Sequence, residues 1–269
     1  MPRIRSAMTA GVLFVTGLVL TAMACASLLE PVPTRAPAVA VPTALSTKAS
    51  IPLYQQVKLS ASPSEEQGQL FGYKVTAQSP VLVGSSDASV KAFNAEMKTI
   101  VDQAVADFKQ KLTDLPATPD SQASTFDLRY NLLSPPGDIL SLKFDIQTYY
   151  TGAAHPSTVS RTVTFDLQQG KDVGLSELFI PGADFLTPIS KYCISQLSSR
   201  DIGFAGFELG ATATLENYRN WNITADGLMI TFDEYQVAPY AAGPQTVVMP
   251  YNQLAQLIRP DGPLAPYLQ

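Results

Sequence analysis

A chain of 269 residues that carries 18 lysines and arginines against 23 aspartates and glutamates, a net charge of −5, has no basic excess with which to hold nucleic acid or anionic lipid headgroups. One histidine and two cysteines are too few for the usual multi-histidine zinc centre or for a disulfide framework. No metal and no cofactor is therefore expected.

The chain opens with Arg3 and Arg5 ahead of an apolar run from Ala10 to Leu20 and then small residues, the layout of a secretory signal peptide over residues 1–24. The run is shorter than the roughly 20 apolar residues that a membrane span requires. Ala22-Met-Ala-Cys25 resembles a bacterial lipobox, in which Cys25 is acylated and becomes the mature N-terminus, anchoring the protein to the outer face of a membrane. Ala22 stands where leucine is usual, and Ala-x-Ala also suits cleavage without acylation, so free secretion is the alternative. Loss of Arg3 and Arg5 with the signal leaves 16 basic against 23 acidic residues, a net charge near −7 that favours basic partners.

Residues 25–50 are dominated by Ala, Pro, Thr and Val, with prolines at 31, 33, 37 and 42, and form an expected extended tether. The remainder divides into a small strand-strand-helix part, 51–124, and an α+β domain, 125–269. Strands are expected at Leu53 to Leu59 and Leu70 to Ala77. A helix follows, because Val90, Phe93, Met97, Ile100, Ala104, Phe108 and Leu112 recur at three- and four-residue spacing. Ser85, Ser86 and Asp87 offer N-caps and Pro116 lies beyond its end.

Three runs then alternate with period two: Phe126 to Leu132, Leu140 to Ile146, and Val159 to Leu167. Polar residues fill the intervening positions, Asp145 and Asp166 among them, so each strand is expected to bury one face and solvate the other. Ser134-Pro-Pro-Gly-Asp138 turns the first strand into the second, and Tyr149-Tyr-Thr-Gly-Ala-Ala-His-Pro156 joins the second to the third. Helices are expected from Asp184 or Thr187 to Ser199, with Thr187-Pro188 as its start, and from Phe207 to Tyr218. Cys193 falls at helical spacing with Phe185, Ile189 and Leu197 and reads as a buried hydrophobe. Arg219 to Thr224 and Leu228 to Val237 flank the Asp226-Gly227 turn of a hairpin. A strand at Gln245 to Met249 and a helix around Asn252 to Ile258 complete the chain. Mixed helices and strands without regular βαβ alternation give an α+β class, with antiparallel sheets packed against helices.

His155 is the one imidazole, and Gly-x-Ser-x-Gly is absent, so a serine hydrolase would have to use His155 as a base with a distant nucleophile. Gly152 permits a positive φ, and Pro156 holds His155 extended, which fixes the ring for a ligand contact or a structural hydrogen bond alike. Tyr235 and Tyr240, near Gly243, offer amphipathic rings for a sugar or peptide, or pack in the core.

Tyr149 to Pro156, Leu175-Ser-Glu-Leu-Phe179, and Thr224-Ala-Asp-Gly-Leu-x-Ile-x-Phe-x-x-Tyr235-x-Val-Ala-Pro-Tyr240-Ala-x-Gly243 together resemble the RsiV-type extracytoplasmic domain. That domain occurs in RsiV anti-sigma factors and beside the catalytic module of PdaC-type peptidoglycan deacetylases. Residues 51–124 resemble, more loosely, the small domain that often precedes it. The resemblance implies an envelope binding module without catalysis, whose partner is lysozyme or a peptidoglycan fragment; an envelope hydrolase with His155 as base and a purely structural envelope protein are the alternatives. Tyr150, Gly152, His155, Tyr235, Tyr240 and Gly243 would form its binding rim. Neither a sigma-binding segment nor a deacetylase module is expected with it, so the binding domain alone is what the resemblance carries over.

Overall fold

The computed structural model describes residues 51–68, 72–114, 123–200 and 204–267. The signal segment, Cys25, the tether and Pro116 lie outside the described residues. Six strands form one sheet in sequence order: β1 Lys58–Gly68, β2 Tyr73–Val83, β3 Ser124–Leu132, β4 Ile139–Tyr149, β5 Ser157–Asp166 and β6 Lys171–Asp172. Neighbours are antiparallel except β2 and β3, which run parallel from Tyr73 opposite Ser124 to Ala77 opposite Leu128. A parallel pair needs a crossover, and α2, Ala88–Thr113, provides it after a short α1, Leu53–Gln56.

The α2 stripe is laid on this sheet as its spacing predicts. Val90, Phe93, Met97, Ile100, Val101, Phe108 and Leu112 are buried with Val75, Ala77, Phe126, Leu128, Leu142, Phe144 and Phe165, and Phe93 meets Phe165 edge-on at 5.4 Å. Each fully buried side chain of this size contributes about 1.5–3 kcal/mol of transfer free energy. Of the three candidate caps Asp87 acts: its Oδ1 accepts the Ser89 amide at 2.8 Å. The strand expected from Leu53 starts instead at Lys58, because Pro52 sits at the N-cap of α1 and accepts the Gln55 amide at 3.0 Å.

A second, three-stranded antiparallel sheet is built from β7 Trp221–Ile223, β8 Leu228–Phe232 and β9 Gln245–Met249. Gly227 turns its hairpin at φ +155°, and a Cβ there would stand 2.2 Å from the Met249 carbonyl oxygen, so only glycine fits. Against it packs α3, Leu186–Ser198, through Ile189, Cys193 and Leu197. Asp184, three residues ahead of the expected Thr187 cap, accepts the Thr187 amide at 3.1 Å, and the helix already begins at Leu186. Cys193 is buried as expected, and burial pushes its thiol up to about 12.

Two expected helices are 3₁₀ turns. Residues Phe207–Ala211 begin after Gly206 at φ +77°, and Gly210 lies so close to Gln236 that a Cβ would strike its carbonyl oxygen at 1.8 Å; Thr212 is extended and stops the turn. At the C-terminus Tyr251–Gln253 replaces the expected helix, with Pro250 at its start and Leu254 following as its cap.

The expected solvated face of the three alternating strands is partly covered. Ser141, Ser160 and Thr164 are all under 8 % exposed, and β7 lies over β4 and β5. The contact is polar: Ser141 Oγ accepts from the Ile223 amide at 3.0 Å and from Asn222 Nδ2 at 2.9 Å, and meets Thr164 Oγ1 at 2.8 Å. Asp166, expected in solvent, is buried, and its carboxylate accepts the amides of Gln168 and Gln169 and the Gln169 side chain at 2.7–3.0 Å, capping the turn after β5. Asp145 remains on the outer face, paired to Lys143 at 2.8 Å. The class is thus α+β. Position 124/125 lies at the start of β3, and the buried apolar residues form two clusters, one from Val75 to Leu167 and one from Val173 to Leu264.

Candidate functional site

The 150–156 connection and the 233–243 segment come together where, among the described residues, β5 has no neighbouring strand along the first part of its outer edge. Two carboxylates take that place. Asp233 Oδ1 accepts the Ser160 amide at 2.8 Å and Glu234 Oε2 accepts the Thr158 amide at 3.0 Å. Asp233 Oδ2 accepts in addition from Arg219 Nη2 at 2.6 Å and Asn220 Nδ2 at 3.3 Å. β8 ends at Phe232, earlier than expected, and the chain turns instead of extending to Val237.

Gln236 closes that turn. Its amide donates to the Asp233 carbonyl at 3.1 Å, its Oε1 accepts the Asp233 amide at 3.1 Å, and its Nε2 donates to the carbonyls of Gly210 and Asn217 at 2.9 and 3.0 Å. Between these anchors Tyr235 is held at φ +65°, and no other non-glycine among the described residues has a positive φ. A bulky side chain in this region costs roughly 1–2 kcal/mol, which points to a role for the ring it displays. Tyr235 is 55 % exposed.

The ring faces its two predicted companions. His155 stacks on Tyr240 with centroids 3.7 Å apart and planes 24° apart, Tyr240 stacks on Tyr235 at 6.0 Å and 25°, and the Tyr235 hydroxyl lies 3.4 Å from His155 Nε2. His155 Nδ1 is 2.8 Å from the Pro156 carbonyl oxygen; in the tautomer with the proton on Nδ1 it donates there, and Nε2 can accept from the Tyr235 hydroxyl. Gly152 at φ +87° and Gly243 at φ +65° have open space around them. They serve the turns that carry the rings.

Tyr150 is not part of the stack. Its ring packs on Phe108 at 5.4 Å, and burial, aided by the Asp107 charge, holds its hydroxyl above the ordinary tyrosine range. It lines a groove of about 370 Å³ between α2 and the sheet, floored by Phe108, Phe126 and Ile146 and edged by Asp107 and Lys111. His155 lines the same groove, so stack and groove adjoin. Among the described residues no group of three or more His, Cys, Asp or Glu side chains is placed to hold a metal ion. Asp233 and Glu234, which fix the loop, were absent from the predicted rim; two acids directly after an apolar strand were the available signal.

Residues 176–252 match the family model described as a protein of unknown function, DUF3298. The match includes Tyr235, Tyr240 and Gly243 and excludes the 150–156 loop. The chain is similar to the peptidoglycan-N-acetylmuramic acid deacetylase PdaC of Bacillus subtilis, 22 % identical over 169 residues, which are 62 % of this chain and 36 % of that protein. The chain thus spans about a third of the length of the curated relative it matches. Two solved structures share the fold. A DUF3298 family member from Bacteroides fragilis superposes with a TM-score of 0.55 at 14 % identity over 79 % of this chain and 97 % of that one. A DUF3298 family protein from Pseudomonas aeruginosa PAO1 gives 0.50 at 16 % identity over 76 % and 94 %.

Proposed function

We propose that this protein is a non-catalytic binding module of the bacterial cell envelope, of RsiV type, that grips a peptidoglycan glycan fragment on the His155–Tyr240–Tyr235 stack. The observation that carries the reading is Tyr235, a ring held exposed at a backbone conformation that only local anchoring sustains. Ring faces suit the apolar faces of sugars, and the adjoining groove offers apolar walls for an acetyl group or a stem peptide, with Asp107 and Lys111 at its edge. Similarity to a deacetylase named for peptidoglycan agrees with that substrate class. The signal-like N-terminus and Cys25 support export and a lipid anchor, and a shift from the membrane fraction to the medium in Cys25→Ser tests the anchor.

A second reading is favoured by the acidic balance of the chain: a basic protein such as lysozyme docks on the same rings. Calorimetric titration of the full chain in mild detergent separates the two, with N-acetylglucosaminyl-N-acetylmuramic acid in one arm and lysozyme in the other. Tyr240→Ala is expected to weaken the disaccharide about tenfold. Binding of lysozyme alone replaces the glycan reading, and turnover of glycan lost in His155→Ala replaces both with a hydrolase that uses His155 as its base.

A further inference from the structure

The sheet face that packs on α2 continues into the groove of about 370 Å³ that His155 shares with the ring stack. Strand register sets its floor. Ile146 lies opposite Val159, and the next rung towards the 150–156 loop pairs Thr148 with Ser157, so an apolar step is followed by one of two hydroxyls. The helix leaves this end of the sheet uncovered: Val159 is 46 % exposed, although it shares a face with the buried Val163 and Phe165. From α2 itself come Phe108 and, on successive turns at the rim, Asp107 and Lys111.

Among the described residues, the Lys111 ammonium and the hydroxyls of Thr148, Tyr150 and Ser157 have no hydrogen-bond or ion-pair partner. All four can donate, and one is a cation. They are open to the groove, with Lys111 and Ser157 exposed and Thr148 and Tyr150 half-buried. Asp107 is the one acid of the lining, and its Oδ1 already accepts from Gln103 Nε2 at 2.7 Å. An occupant that complements this groove therefore brings several acceptors, a negative charge within reach of Lys111, and small apolar groups for the floor.

On the reading that the ring stack holds the glycan, we propose that the groove takes the peptide stem of the muramyl sugar: an acidic peptide rich in alanine, extended from His155 towards Lys111. Its carbonyl oxygens accept from the hydroxyls of Thr148, Tyr150 and Ser157, a carboxylate pairs with Lys111, and alanyl methyls lie on Ile146 and Val159. The module then distinguishes glycan that carries its peptide from glycan stripped of it. Lys111 is the residue that sets this preference.

The test is calorimetric titration of the full chain with L-alanyl-γ-D-glutamyl-L-lysyl-D-alanyl-D-alanine, with the same peptide amidated at both carboxylates, with octanoate, and with N-acetylglucosaminyl-N-acetylmuramic acid. The free peptide binds, and amidation weakens it about tenfold. Lys111→Gln removes that difference and Lys111→Arg keeps it. The comparison of free with amidated peptide on the unaltered protein stands even if a variant fails to fold. The disaccharide arm alone judges the ring stack, so peptide binding without disaccharide binding overturns the glycan reading and still places the peptide in the groove. No binding of the free peptide, equal binding of both peptides, an amidation effect that survives Lys111→Gln, or binding of octanoate in place of the peptide overturns this proposal.

Discussion

Replacing Asp233 with alanine tests the idea that carboxylates substitute for a missing strand beside β5. The side chain accepts from the Ser160 amide, from Arg219 and from Asn220, and Ser160 and Asn220 are buried. Two buried donors left without an acceptor cost about 1–3 kcal/mol each. The ion pair with the half-exposed Arg219 adds at most about 1 kcal/mol, because solvent screens it. Asp233→Ala is therefore expected to destabilise the fold by about 3–5 kcal/mol, and Asp233→Asn, which keeps an acceptor for Ser160, by roughly half as much. Urea unfolding followed by the fluorescence of Trp221 measures both, since this single tryptophan opens β7 and its amide donates to Thr162 Oγ1 at 3.0 Å. A loss below about 1 kcal/mol in Asp233→Ala refutes the reasoning, because it means that water satisfies those donors and that the 233–240 segment is held by something else.

Three further outcomes are expected. Ser141→Ala strands the Ile223 amide between the two sheets, leaves Asn222 Nδ2 only the Leu142 carbonyl at 2.9 Å, and costs about 1–3 kcal/mol in the same urea assay. The Glu96 carboxyl on α2 is pushed up to about 8 by burial, by its hydrogen bond to Asp172 and by the Asp172 charge, against the pull of Arg161. Its folded pKa exceeds its unfolded one, so the folded state holds the extra proton and stability declines as pH rises from about 4.5 to 8; Glu96→Gln flattens that decline, read as urea midpoints on either side of the window. Cys193, buried and far from its thiolate form, resists iodoacetamide in the native protein and reacts once the chain is unfolded, as mass spectrometry reports.

What the sequence discloses follows from how many residues share a signal. The α2 stripe and the alternation in β3, β4 and β5 are repeated across whole elements, so most of their apolar positions are buried as read, with Leu132 and Val159 the exposed exceptions. The hairpin at Asp226-Gly227 and the loop at Gly152 to Pro156 rest on backbone rules that tertiary contacts leave intact. Ser141, Ser160 and Thr164 read as solvent-facing because a small hydroxyl suits water and a polar interface equally, and only the arrival of β7 decides between them. The 3₁₀ turns at Phe207–Ala211 and Tyr251–Gln253 carry enough apolar residues to resemble helices, but Gly210 must pass against Gln236 and cannot sit in a regular helix there. The ring stack is half legible: Tyr235, Tyr240 and His155 stand out as types, whereas the φ of Tyr235 depends on the anchoring of Gln236 to Gly210 and Asn217, and the departure of Tyr150 to the groove on Phe108, contacts distant in sequence.

The strand at the margin of the large sheet, β1, is exposed along nearly its whole length and, among the described residues, pairs with β2 alone. Such a margin invites a second copy of the same chain to continue the ladder. Pro63 removes an amide donor at its middle, and Glu65 adds an exposed charge that disfavours a like strand alongside, whereas Glu66 is engaged by Lys109 and Tyr73. A proline and a charge at this margin thus work against edge-to-edge pairing and against fibril-like growth from it.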